Sequence, residues 1–192
     1  INTTAKLKTV CDVCVTSSNA VKIVKTLPNK NIFFIPDRNL GSFVAKQVTE
    51  KNIILNDGCC PTHAKITATQ VYAEREKHPE AEVLTHPECD ASVIELSDYI
   101  GSTADIIAYA KNSDVNEFII CTEDGVDFKL ITDNPDKRFY YPNPHPCCAD
   151  MKLNTLAAIL SVLEKEDKEV TVDEDIRRRA LIPLDRMLEL AK

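Results

Sequence analysis

The sequence predicts an α/β fold built from repeated units, each with a largely parallel sheet under helices. Three observations predict it. Short apolar runs alternate with helical stretches, the chain matches itself at a fixed offset, and its four glycines all fall in turns between those runs. A length of 192 residues with 44% apolar content suffices for one or two ordinary cores.

Taken in order, "DVCVTSSNAVKIVK" (12–25) lies over "DYIGSTADIIAYAK" (98–111). Asp12 with Asp98, Ser17 with Thr103 and Lys25 with Lys111 are each 86 apart. "NIFFIPD" (31–37) lies over "EFIICTE" (117–123), apolar on apolar. "GCCPTHAKITATQV" (58–71) meets "PCCADMKLNTLAAI" (146–159), offset by 148 − 60 = 88. A period of this size indicates duplicated domains. Residues 1–62 form one incomplete unit, 63–148 a second, and 149–192 a set of C-terminal helices. Residues 1–12 overlay 87–98, so the strand matching 82–85 is expected ahead of Ile1.

Within the second unit, 83–85 is a strand, 91–98 a helix, 103–111 a helix opened by "GST", and 118–121 a strand. The tail carries a helix over 154–166. A further helix is capped by Asp173 and broken at Pro183, where the next one starts. Ile176, Ala180, Leu184 and Leu188 form its packing stripe.

A net charge of −7 argues against nucleic-acid or membrane-surface partners. The longest apolar run, 156–163, is too short for a bilayer span. No charged-then-apolar leader opens the chain, and a cytoplasmic location is expected. In a reducing compartment, eight cysteines point to metal ligands or reactive thiols. Neighbours such as Cys59/Cys60 and Cys147/Cys148 do not readily bond to each other. Six of the eight are expected as small buried apolar residues, Cys11 and Cys14 among them.

Cys60 and Cys148 are the exceptions. Each stands ahead of a helix N-terminus, a position that favours thiolate. Thiolates converging from three related units would suit a [4Fe–4S] cluster with one open iron, able to act as a Lewis acid. A zinc-binding module using Cys60, His63, His145 and Cys148 is the alternative. A thiol enzyme with Cys60 as nucleophile and His63 or His86 as base is a third. His86 and Glu88 in "HPEC" offer proton shuttling at a strand end, or an ordinary turn. Ser102 and Thr103 make an anion site at a helix start, or simply a cap. His145, between two prolines, shapes a stiff loop, and His78 is expected in solvent.

"VTSSNAVKIV", "PDRNLG", "GCCPTH", "HPEC", "GSTADII", "TEDG", "CCADMKLNTL" and "RRRALIPLDRML" closely resemble the quinolinate synthase family, in family order and over essentially the whole chain. The resemblance implies three similar three-layer αβα domains in a pseudo-threefold arrangement around a central [4Fe–4S] cluster. The first domain is absent from this sequence, and the C-terminal helices pack back on it. It implies condensation of iminoaspartate with dihydroxyacetone phosphate to quinolinate, on the de novo route to NAD. An L-aspartate oxidase or dehydrogenase would supply the iminoaspartate. Carried over residue by residue, Cys60 and Cys148 are cluster ligands and His86 with Glu88 the catalytic, substrate-binding pair. Asn2, Ser17, His63, Ser102 and Thr103 are further substrate contacts. The third cluster cysteine and several active-site residues belong to the absent domain, so this stretch alone is expected to be inactive.

Overall fold

A computed structural model describes residues 1–192. The elements in order are α1 (Ala5–Lys8), α2 (Ala20–Thr26), β1 (Asn31–Phe34), α3 (Arg38–Gln47), β2 (Asn52–Leu55), α4 (Ala68–Lys77), β3 (Glu82–Thr85), α5 (Ala91–Ile94), β4 (Tyr99–Ile100), α6 (Thr103–Asn112), β5 (Glu117–Cys121), α7 (Asp127–Asp133), β6 (Arg138–Tyr140), α8 (Leu156–Lys165) and α9 (Glu174–Leu190). Every strand pair is parallel, so the α/β expectation holds. The chain divides into two compact units, Thr16–Cys147 and the combination of Ile1–Val15 with Cys148–Lys192.

The larger unit holds two sheets, β1-β2 and β4-β3-β5-β6. In the second sheet, successive side chains point to opposite faces, as the pleat requires. Val83, Ile119 and Cys121 pack with Ile66, Val71 and Val93 on one face. Leu84, Phe118 and Ile120 pack with Ile106, Ala110 and Leu130 on the other. Helices therefore cover both faces, and this sheet is the middle of three layers. Such strands read as continuous apolar runs because neither face meets water.

The internal repeat is visible in the pairing itself. β1 meets β2 with Asn31 opposite Asn52, and β5 meets β6 with Glu117 opposite Arg138. Both partners are displaced equally, since 117 − 31 and 138 − 52 are each 86. Capping repeats too: Asp37 accepts from the Leu40 N–H and Glu123 from the Gly125 N–H, with 123 − 37 = 86. The Arg38 N–H donates to the Gly58 carbonyl at 2.7 Å, and the Asp124 N–H to the Pro146 carbonyl at 2.9 Å. These last two bonds carry the offset from 86 to 88, because 124 − 38 = 86 and 146 − 58 = 88.

Several expectations are corrected. The helix expected over 91–98 stops at Ile94, and the chain turns into β4. The Asp98 N–H donates to the Val83 carbonyl, and Ser97 Oγ lies 2.6 Å from Thr85 Oγ1, so pairing beside β3 overrides helix propensity. Cys59 and Cys147 are exposed rather than buried, unlike Cys14, Cys89 and Cys121. His78 is half-buried and stacks on Tyr140, ring centroids 3.4 Å apart.

The smaller unit comprises α1, α8 and α9. Asp173 caps α9 as expected, accepting from the Ile176 N–H. The helix runs unbroken through Pro183, contrary to expectation. Proline removes one intrahelical bond, the one to the Arg179 carbonyl. The Pro183 carbonyl accepts from the Cys14 N–H at 3.0 Å. Buried along α9 are Ala180, Pro183 and Met187, while Leu188 is 60% exposed. A stripe stepping by four drifts about 40° around the helix at each step. The contact line therefore follows the three-and-four spacing. No residue of α8 is buried.

Candidate functional site

Four segments of the larger unit bring the site together, each leaving the carboxyl end of a parallel strand. Ligands collect there in such sheets because that edge faces loops and helix starts. Asp37 follows β1, Cys60 and His63 follow β2, His86 and Glu88 follow β3, and Thr122 follows β5.

The loop after β2 owes its path to one glycine. A Cβ on Gly58 would lie 2.5 Å from the Pro36 carbonyl oxygen and 2.8 Å from Asn56 Nδ2. The obstruction is backbone, which cannot swing away. Gly58→Ala should therefore cost about 1–3 kcal/mol through overpacking. An unchanged midpoint in urea titrations would show that the close approach does not exist. Beyond the glycine, the Cys60 N–H donates to Asp37 Oδ2 at 2.7 Å, while Oδ1 of the same carboxylate caps α3. One buried aspartate thus pins the cysteine loop to the end of β1.

Cys60 does not sit at a long helix start as expected. A short turn, His63–Lys65, follows it, and α4 begins only at Ala68. Its thiol is nevertheless below the ordinary cysteine value: burial opposes ionisation, but His63 beside it outweighs burial. The imidazole, not a helix dipole, favours the thiolate. His63 in turn rises to about 9; burial pulls it down, and the Cys60 thiol and Glu88 carboxylate more than compensate. His63 Nε2 meets Thr122 Oγ1 at 3.1 Å. Its Nδ1 is 3.1 Å from Glu88 Oε2, at ion-pair distance but off the line of a good hydrogen bond.

His86 stacks on His63, centroids 4.4 Å apart and planes 16° from parallel. Burial and then the neighbouring imidazolium lower it to about 4. It is neutral near pH 7, and its Nδ1 accepts from the Glu88 N–H at 3.3 Å. The proton therefore resides on Nε2, which is left as a donor. Glu88 is held below the usual carboxylate range: burial raises it, but His63 and His86 lower it further. Its carbonyl accepts from Asn39 Nδ2 at 2.9 Å. Two stacked imidazoles, one charged and one neutral, thus flank an ionised carboxylate and a thiol. Such divergent titration marks functional sites.

The other expected residues are placed as follows. Ser102 caps α6, and its hydroxyl donates to Asp105 Oδ2 at 2.6 Å in a full capping box. Thr103 is exposed as the first residue of that helix. Ser17 is half-buried in the turn entering α2. Asn2 and Cys148 lie in the smaller unit, Asn2 exposed and Cys148 partly so. The His145 ring lies tilted by 31° against Tyr141, centroids 4.9 Å apart. Asp37, Asn39 and Thr122 were not anticipated. For Asp37 a signal existed, since "PDRN" and "TEDG" align through Asp37 and Glu123.

The model for the quinolinate synthetase A protein family matches residues 1–189. The chain belongs to the quinolinate synthetase A family. It is 46% identical over 192 residues to the quinolinate synthase of Clostridioides difficile. It is 49% identical over 191 residues to that of Caldicellulosiruptor saccharolyticus, and 50% over 190 residues to that of Caldicellulosiruptor bescii. These alignments take in 99–100% of this chain and 63% of each relative, so the chain spans about 63% of the length of the family members it matches. No helix is long and apolar enough to cross a membrane. The Cys60–His63–Glu88 group offers ligands of the kind that hold metal ions.

Proposed function

We propose that the full-length protein is a quinolinate synthase. In this reading it condenses iminoaspartate with dihydroxyacetone phosphate to quinolinate, releasing one phosphate and two waters, as a cytoplasmic enzyme of NAD biosynthesis. An L-aspartate oxidase or dehydrogenase would supply the imine. The observation that carries the reading is the convergence of Cys60, His63, His86 and Glu88 beyond the carboxyl ends of β2 and β3, inside a chain of this family.

The donor chemistry fits a [4Fe–4S] cluster. Cys60 is partly exposed, its thiol is lowered, and its backbone is pinned by Asp37. Cys60 and Cys148 would hold the cluster together with a cysteine of a further domain, in a pseudo-threefold assembly of αβα units. The bounds proposed for those units are 1–62 and 63–148, with the helices of 149–192 packing on the further domain. When bound, the cluster supplies an open iron as Lewis acid for a substrate carboxylate or hydroxyl.

The chain's own residues handle protons and position. Glu88, ionised beside the His63 imidazolium, takes a proton from substrate carbon or nitrogen during ring formation. His86 donates from Nε2 to a substrate oxygen, a role its neutral ring and engaged Nδ1 impose. The Ser102 hydroxyl is committed to Asp105, which leaves Thr103 and the first N–H groups of α6 for the substrate phosphate or a carboxylate. Asn2 and Ser17 complete the substrate contacts.

The decisive experiment is purification of the full-length protein without oxygen. A brown protein with about four iron and four sulfide per chain is expected, forming quinolinate from the two substrates. Cys60→Ser and Cys148→Ser should each abolish the colour. A colourless wild-type protein without iron that makes no quinolinate would sink the reading.

A further inference from the structure

We propose that Cys60, His63 and Glu88 form a three-ligand zinc site, complete within the unit Thr16–Cys147 and independent of Cys148 and His145. One donor atom from each of Cys60, His63 and Glu88 lies within 4.8 Å of the other two, and His63 Nδ1 is 3.1 Å from Glu88 Oε2. Zinc bound tetrahedrally at ordinary bond lengths needs donors roughly 3.3–3.8 Å apart. The set is thus within about an ångström of the required spacing before any metal arrives.

The second observation is His63 itself. Its side chain is 7% exposed, and Nδ1 is buried without an aligned hydrogen bond. Nε2 is engaged by the Thr122 hydroxyl. Metal-ligating histidines share this arrangement: the far nitrogen is fixed by an oxygen and the near one turned to the metal. The other ligands are braced equally well. Asp37 holds the Cys60 N–H, and Asn39 holds the Glu88 carbonyl. Thiolate and carboxylate together carry two negative charges, and with a neutral imidazole they balance a divalent ion. Three protein ligands leave a fourth position for water, the pattern of open zinc sites. One consequence rests on the function proposed above: zinc and the cluster would compete for the Cys60 sulfur, giving a colourless alternative form.

The test uses the full-length protein freed of iron and sulfide under reducing conditions. It is titrated with zinc against a chelator, and in parallel with cobalt(II) as the spectroscopic probe. One equivalent should bind. Cobalt should show the visible bands of a four-coordinate ion and a sulfur-to-metal charge-transfer band. Cys60→Ser should remove that band. His63→Gln and Glu88→Gln should each weaken zinc by about tenfold or more, since even the loss of a supporting group beyond the ligands costs that much. Cys148→Ser and His145→Ala should leave affinity unchanged. Far-ultraviolet circular dichroism checks folding, and any variant that fails it leaves the other two to decide. Cobalt binding without the charge-transfer band overturns the proposal, as does affinity indifferent to all three ligand variants. Loss of zinc in Cys148→Ser overturns it too, and favours the four-ligand set. Failure here is separable from failure of the cluster reading, which is judged by iron and sulfide in protein prepared without oxygen.

Discussion

Glu88→Gln in the full-length protein should lower kcat by about 10²- to 10⁴-fold, the range supplied by a positioned acid–base group. The expectation follows from what surrounds the carboxylate. It lies 3.1 Å from His63 Nδ1 and 3.9 Å from His86 Nδ1, and it stays ionised despite being largely shielded from water. An amide of the same shape keeps the backbone bonds to Asn39 and His86, so the loop after β3 should keep its path. It cannot accept a proton. The readout is quinolinate formation, with iron and sulfide content measured on the same sample. Unchanged iron with collapsed turnover supports the proton-transfer role, and Glu88→Asp should recover part of the rate. A variant within threefold of wild type, at equal iron content, would rule out Glu88 as the base.

The second large effect concerns stability. Phe118→Ala should destabilise the folded protein by about 3–5 kcal/mol, the usual cost of emptying a buried aromatic site. Phe118 has no exposed surface and stacks on Phe139 at 5.8 Å, with Lys137 Nζ 5.5 Å from its ring centroid. Its strand, β5, is flanked on both sides by β3 and β6, so the cavity cannot close by moving an edge. In a chain of this size the melting temperature should fall on the order of 10 °C. Phe128→Ala is the control. That ring is 79% exposed, and its removal should change stability by no more than about 0.5 kcal/mol. Equal effects of the two substitutions would mean that the core is misplaced.

The repeat was legible in the sequence, and the structure gives it physical content. An offset of 86 recurs as identical strand registers and matched carboxylate caps. The two sheets differ in burial, since Phe33, Ile54 and Leu55 of β1 and β2 stay exposed while β5 is buried. Where the reading failed, a non-local partner had intervened. The residues after Ile94 leave the helix because β3 offers them hydrogen bonds.

The site divides in the same way. Cys60, His63, His86 and Glu88 could be named from "GCCPTH" and "HPEC", but their roles could not be separated there. Two histidines of one type, stacked at 4.4 Å, are driven to about 9 and about 4 by their neighbours. No local pattern encodes that difference. It arises because His63 faces a thiol and a carboxylate, while His86 faces His63.

The sequence by itself determined the α/β class, the strand-end position of Cys60, His63, His86 and Glu88, and the family, because each depends on residue type and spacing along the chain. The tertiary structure alone decided which imidazole carries charge, that Asp37, Asn39 and Thr122 brace the reactive groups, and that Cys60, His63 and Glu88 share one pocket of space. Those outcomes depend on distances between segments far apart in sequence. Charge and burial act through space, and only the folded chain sets those distances.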